Sequence, residues 1–267
     1  MIKSDFDIIV HKIPTKKELH LHAVGDLHAG SIEANLKGWE RFNDIILSDP
    51  QAYVIFLGDL MNNATKSSVS NCFEEIMRPR DQKIYLKEKL ADLAKSGKIL
   101  AMVPGNHENR SLKDADDNPL YDVAAKLDLE DVYRENLALV KIVLDNGGRN
   151  PCMYSVLASH GAGGGMLTGS SVNHYERFAS YWNGVDIFCF GHSHKPFVTK
   201  PNKIELDLAH DRVRKKSTVL MTVPSWLDYA GYSLRGLMSP VEDAKPDQPM
   251  GLVLSAKPTD REIKIVW

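Results

Sequence analysis

Short apolar runs alternate along this chain with segments whose apolar residues recur at helical spacing, and most of the runs stop at a glycine-bounded polar turn. Glu18 to Gly25 (ELHLHAVG), Ala52 to Leu57 (AYVIFL) and Lys98 to Val103 (KILAMV) predict strands, the second unbroken and apolar as a strand buried on both faces should be. Between the first two, Leu36, Trp39, Phe42, Ile45 and Ile46 predict a helix starting near Ser31, a candidate N-cap. A short helix around Val69 to Met77 precedes a longer one over Asp81 to Ser96, with Leu86, Leu90 and Leu93 on one side and Gly97 at its end. Asn118-Pro119 opens a further helix through Ala125 and Leu127.

Beyond that point Leu139 to Leu144 and Met153 to Ala158 flank Asp145-Asn146-Gly147-Gly148 as a hairpin. A helix over Val172 to Trp182 leads to a strand at Asp186 to Phe190. Ile204 to Leu208 and Ser217 to Val223 form a second hairpin around the basic turn His210 to Lys216, and Leu252 to Leu254 pairs with Ile263 to Val266. Residues 224 to 249, with four prolines, read as a long loop. Strands alternating with helices imply an α/β protein. With no dividing linker, one domain spans 1–267, its motif-bearing core about 18–200 and the C-terminal hairpins and loop completing it.

The polar turns change the picture, because five strand ends carry Asp26-x-His28, Gly58-Asp59, Asn106-His107, His160 and His192-x-His194. On extended chain the period of two would point both members of each x-spaced pair to one side. Imidazole, carboxylate and amide oxygen without thiolate suit manganese, iron or zinc. Seven candidate ligands are too many for one tetrahedral ion and fit a two-metal site with ions roughly 3.5–4 Å apart. Two divalent cations against Asp26, Asp59 and a bridging hydroxide leave the site cationic, which points to hydrolysis of an anionic phosphoester.

Composition adds exclusions. The chain has 267 residues, 43% hydrophobic and 25% charged, with net charge −2, so bulk charge gives no reason to expect non-specific nucleic-acid or membrane binding. Cys72, Cys152 and Cys189 have no CxxC spacing, which argues against a disulfide framework or a zinc finger and fits a reducing cytoplasm. The first residues are charged throughout, and no apolar run reaches the roughly 20 residues of a membrane span. A cytoplasmic protein that is neither exported nor membrane-bound is expected.

In order, Gly25-Asp26-Leu27-His28, Gly58-Asp59, Gly105-Asn106-His107-Glu108, His160 and Gly191-His192-Ser193-His194 resemble the calcineurin-like metallophosphoesterase superfamily over about residues 20 to 200. The resemblance implies a four-layer α/β/β/α sandwich of two facing mixed sheets, with a dinuclear site at one edge. By motif position, Asp26, His28 and His194 would hold one ion and Asn106, His160 and His192 the other, with Asp59 bridging and manganese favoured. His107 would bind phosphate and protonate the leaving oxygen.

One departure bears on mechanism. The protein-phosphatase branch has an aspartate three residues after the bridging one, then an arginine, and that aspartate orients the catalytic histidine. Asn62-Asn63 stands here instead, which argues against a Ser/Thr protein phosphatase. Unless Glu108 or another carboxylate substitutes, the pKa of His107 should be lower than in that branch. Arg110 and Asn62 are candidate substrate-binding residues, although Arg110 reads equally as a solvated loop arginine. His11, His20, His22, His174 and His210 are expected in solvated or capping roles, with His20 or His22 close enough in strand parity to support the site.

The loop Gly161 to Gly165 lacks the ending of a nucleotide-binding loop and reads as flexibility beside His160, and Arg212, Arg214, Lys215 and Lys216 read as a soluble hairpin tip. Trp226, Tyr229 and Tyr232 either stack on a base or pack locally. The expected function is a phosphodiesterase acting on nucleotides or nucleic acid. The alternatives are a small-molecule phosphomonoesterase and a non-catalytic, metal-bound scaffold for a partner protein.

Overall fold

The computed structural model describes all residues except 1, 2, 16, 67, 69–71, 164, 166, 232, 233, 235–249, 259, 260 and 267. Most of the expected loop 224–249, Tyr232, the start of the expected helix at Val69 and part of the Gly161 to Gly165 loop therefore lie outside the described residues.

Two mixed sheets face each other. The first has six strands in the order β1-β5-β6-β7-β11-β8: β1 (Ile9–Pro14), β5 (Leu137–Asp145), β6 (Cys152–Ser159), β7 (Ile187–Phe190), β11 (Val219–Thr222) and β8 (Phe197–Thr199). The second has five in the order β13-β12-β2-β3-β4: β13 (Ile263–Val266), β12 (Gly251–Ser255), β2 (Glu18–Val24), β3 (Ala52–Phe56) and β4 (Ile99–Met102). Strands β2, β3 and β4 run parallel, as do β6, β7 and β11, so their C-terminal ends, where the polar turns begin, lie at one edge of each sheet.

Alternation along the strands builds the layers. Leu19, Leu21, Ile55, Leu57, Leu100 and Val103 from one sheet meet Val140, Ile142, Val156, Ile187 and Met221 from the other. Val24, Val54, Phe56 and Met102 point the opposite way, under α1 (Leu36–Ser48), α2 (Pro79–Lys95) and α4 (Pro119–Ala125). Trp39, Phe42 and Ile46 supply the buried stripe of α1, and Leu86, Leu90 and Leu93 that of α2. On the far side Tyr175 and Ala179 of α5 (Thr168–Ser180) cover Leu157, Phe188, Phe190 and Leu220. The four-layer α/β/β/α sandwich is the fold.

Several local expectations need correction. Asn35, not Ser31, caps α1: its side chain accepts from Gly38 N at 2.9 Å, while the Ser31 hydroxyl turns to the Glu33 carboxylate. Residues 72 to 77 are turns and bends rather than helix, and β1 was not foreseen. The basic residues after His210 are not a turn. They form β10 (Arg212–Ser217), which pairs with β9 (Asn202–Asp207), while Val219–Thr222 leaves the hairpin to join β7 and β8 in the six-stranded sheet. Thr218 marks that break.

His20 and His22 do not reach the polar edge. His22 is half-buried, edge-on against Phe42, and desolvation lowers its pKa to about 4. His20 lies 2.5 Å from Asp49 through Nδ1 and 3.3 Å from Glu18 through Nε2. Burial works against its charge, but the two carboxylates outweigh it and raise its pKa above 6.5. A raised histidine stabilises fully below its unfolded pKa and loses that contribution as pH climbs through the folded value. We therefore expect His20→Gln to lower the melting temperature more at pH 5.5 than at pH 9 (conditions within about one to three units of the ordinary histidine value). Equal losses at both would remove the assignment.

Candidate metal centre

The polar turns at the sheet edges are held in a conformation that strands do not supply. Asp26, His28, Asp59, His192 and His194 have φ of 55°, 50°, 50°, 67° and 55°. Asp26 and His28 do enter one ligand group together, but His192 and His194 part, His192 to His160 and Asn106 and His194 to Asp26 and His28, and the backbone that places all four is left-handed rather than extended. That conformation costs roughly 1–3 kcal/mol per non-glycine residue and persists only where neighbours dictate it. Here Asp26 N donates to Gly58 O (3.0 Å), His28 N to Asp59 O (2.8 Å) and Ala29 N to Leu60 O (2.9 Å), lacing two turns together.

Close approach explains two glycines. A Cβ on Gly58 would overlap the backbone of Gly105, and a Cβ on Gly105 would overlap Asp59 Oδ1.

Glu108 completes the framework. It opens α3 (Glu108–Ala115), with His107 at the N-cap position. Its buried carboxylate accepts three backbone N–H groups, from Asp59 (2.9 Å), Gly105 (2.8 Å) and Met61 (2.9 Å). Burial and the Asp59 charge push its pKa up to about 7 against the pull of those N–H groups. Its place in the Gly105-Asn106-His107-Glu108 run was the only sequence signal for this role.

All seven candidate ligands gather at this edge. His194 Nε2 is 3.2 Å from Asp26 Oδ1 and 3.3 Å from His28 Nε2. Asn106 Oδ1 is 3.0 Å from His160 Nε2 and 2.8 Å from His192 Nδ1, and those two nitrogens are 3.2 Å apart. Asp59 Oδ2 lies between the groups, 3.3 Å from His160 Nε2 and 3.9 Å from His28 Nε2. Atoms bonded to one ion at about 2.0–2.2 Å, at tetrahedral or octahedral angles, stand roughly 3.0–3.5 Å apart. The donor set fits divalent metal ions.

Protonation is arranged for the same purpose. His160 Nδ1 donates to Leu57 O at 2.7 Å, which leaves Nε2 to face Asp59 and Asn106. Burial holds His28 well below the ordinary histidine value, with the neighbouring His107 adding to the effect, and lowers His192, with His160 adding. His160 is the exception, since Asp59 overcomes burial and raises it. Asp59 itself, against burial, is held well below the carboxylate range by His160 and His107.

A sequence profile described as calcineurin-like phosphoesterase matches residues 19–196. The chain belongs to that family. It is accordingly a metal-dependent phosphoric ester hydrolase, with phosphoesters as its substrate class. No curated protein sequence matches it. Solved structures similar to it include a predicted phosphoesterase from Streptococcus pneumoniae, at 12% identity over 93% of this chain and 98% of that one, with a TM-score of 0.34. A metallophosphoesterase from Sphaerobacter thermophilus has 11% identity over 92% and 87%, with a TM-score of 0.39. Chaetomium thermophilum Vps29 has 11% identity over 92% of each chain and a TM-score of 0.38.

The Asn62 departure resolves unexpectedly. Glu108 does not stand in for the missing aspartate beside His107, because its oxygens are taken by backbone N–H groups. The Asn62 main-chain carbonyl lies 2.9 Å from His107 Nδ1, and its side chain turns away to donate to Glu75 Oε1 at 2.7 Å. Arg110 donates to Asn62 O at 3.1 Å and reaches His107 Nε2 at 2.9 Å, so it is not a solvated arginine. Burial lowers the His107 pKa; Asp59 opposes this, and Arg110 reinforces it.

Elsewhere, Trp226 resolves as packing. It is buried against Trp39 and Phe42, and its main-chain N–H donates to Asp26 O at 3.0 Å. Tyr229 is half-buried. His11 lies 2.8 Å from Leu100 O, His174 packs on the Tyr175 ring, and His210 pairs with Asp207 at the surface. The three cysteines are free, and no helix among the described residues is long and apolar enough to cross a membrane.

Proposed function

We propose that this chain is a dinuclear phosphodiesterase acting on nucleotides or nucleic acid in the cytoplasm, with manganese at both positions. Asp26, His28 and His194 hold one ion, Asn106, His160 and His192 the second, and Asp59 belongs to both. The observation that carries this reading is Asp59 Oδ2 standing between two groups of ligand atoms. When bound, the two ions supply positive charge for phosphoryl oxygens and acidify a water.

The protein's own groups do the rest. Asn62 O orients the His107 ring by accepting from Nδ1–H, so Nε2 faces the substrate side together with Arg110. With its pKa lowered by burial, His107 is a weak base and, once protonated, a strong acid toward a leaving oxygen. Arg110, held by Asn62 O and His107 Nε2, brings its guanidinium charge toward a non-bridging phosphate oxygen. A diester carries one negative charge where a monoester carries two, which suits one arginine and no second cation from residues 62 and 63. The missing Asp-Arg pair also makes the motif set resemble prokaryotic phosphodiesterases.

Hydrolysis of bis(4-nitrophenyl) phosphate and 4-nitrophenyl phosphate by manganese-loaded protein tests the reading. The diester is expected to be favoured by at least about tenfold in kcat/KM, or ~1.4 kcal/mol, with both activities lost in chelator. Preference for the monoester would replace the proposal with a phosphomonoesterase. Metal-saturated protein without turnover on either would favour a scaffold.

A further inference from the structure

The hairpin of β9 and β10 carries its polarity inside out. At its base the polar face turns to the body of the protein: Lys203 Nζ donates to the carbonyls of Ala179 and Trp182 at the end of α5 (3.2 and 2.9 Å), and Lys216 lies 3.6 Å from Asp186. Asp207 gathers Arg212, Arg214 and His210. The alternate residues face solvent, with Ile204, Leu206 and Val213 exposed by 78%, 71% and 65% and Leu208 at the turn by 81%. A one-residue slip would exchange the two faces, but the two lysine anchors oppose it.

We infer that this face is the two-fold interface of a homodimer. Leu206 stands opposite Val213, and Ile204 opposite Lys215, so the face reads Ile204 with Lys215 toward the base and Leu206 with Val213 in the middle, and beyond the last paired residues the exposed turn carries Leu208 and Asp211. A dyad running across the ribbon through Leu206 and Val213 lays a second ribbon antiparallel over the first. Ile204 then covers the partner's Leu208, and Lys215 meets the partner's Asp211. The sequence of the face is its own complement under that rotation, as an isologous contact requires. Among the described residues neither Lys215 nor Asp211 has an ion-pair partner within the chain.

Other arrangements are less satisfied. A dyad along the ribbon would set Lys215 on the partner's Ile204, and pairing of β10 edges would oppose Arg212, Arg214 and Lys216 to the same charges. An anionic lipid surface would meet Asp211 at the tip, while Arg212 and Arg214 are already held by Asp207. The four apolar residues offer on the order of 500 Å² per copy, at the low end for a specific interface, so the dimer is reversible with Kd about 10 µM.

Sedimentation velocity on the metal-loaded full chain, from about a tenth to about ten times that Kd, should show monomer passing to dimer. Leu206→Ser should raise Kd by about tenfold or more. Lys215→Asp and Asp211→Lys should each weaken association by about fivefold, and the two together should restore it. Circular dichroism and phosphoesterase activity, which these surface changes leave intact, confirm folding. A chain that stays monomeric, a dimer indifferent to Leu206→Ser, or a double swap that fails to restore association would overturn the inference.

Discussion

Replacing Asp59 by asparagine is expected to lower kcat/KM by on the order of 10³, about 4 kcal/mol of transition-state stabilisation, and, under the dinuclear site proposed above, to drop bound metal from two ions per chain to one. Asp59 Oδ2 is the oxygen that faces both ligand groups, while Oδ1 accepts from His107 N at 2.8 Å. Asparagine can keep the second bond but puts an amide, without charge, where a shared anion is needed. The fold should tolerate this, because removing a buried carboxylate also removes its desolvation cost. Metal analysis with unfolding in chelator separates the cases: two ions and wild-type turnover in the variant would contradict the assignment, and loss of the apo fold would make Asp59 structural.

The second large effect is expected at Glu108. Alanine there leaves three buried N–H groups, of Asp59, Gly105 and Met61, without their acceptor. Each orphaned buried donor costs roughly 1–3 kcal/mol, and with partial relaxation we expect about 3 kcal/mol or more from denaturant unfolding. Glutamine should cost less. Its oxygen can retain the bonds from Asp59 and Gly105, while its amide nitrogen faces Met61 N–H. Both variants should lose activity in proportion to lost order at Asp59 and Gly105. If the alanine variant unfolded at the wild-type denaturant midpoint, Glu108 would not be the clamp described here.

These cases show where the sequence was legible. Strand-ending turns at Asp26, Asp59, Asn106, His160 and His192 could be placed because an apolar run followed by glycine is a local signal. Their convergence could be expected, but not its cause: the left-handed backbone at Asp26 and His28 depends on bonds between turns far apart in the chain. Glu108 stood in view within its motif, yet its partners Asp59 and Met61 lie on another strand's turn. Asn62 announced a lost aspartate, while its replacement by a backbone carbonyl, with Glu75 holding the side chain, follows from tertiary contacts alone.

The hairpin makes the same point from the surface. Its alternation was readable at Ile204, Leu206 and Val213, but alternation names two faces without saying which one meets the body. Lys203 and Lys216 decide that by their partners on α5 and beside β7.

By itself, then, the sequence determined an α/β protein, the order of the motifs and the identity of the metal-ligand candidates, because periodicity and turn chemistry act over a few residues, while the four layers came with the family resemblance that those motifs carry. Only the tertiary structure decided how Glu108, Asn62 and Arg110 serve the centre and which face of the hairpin is free. Those outcomes depend on hydrogen bonds and charge contacts between elements brought together by burial, and burial has no local sequence code.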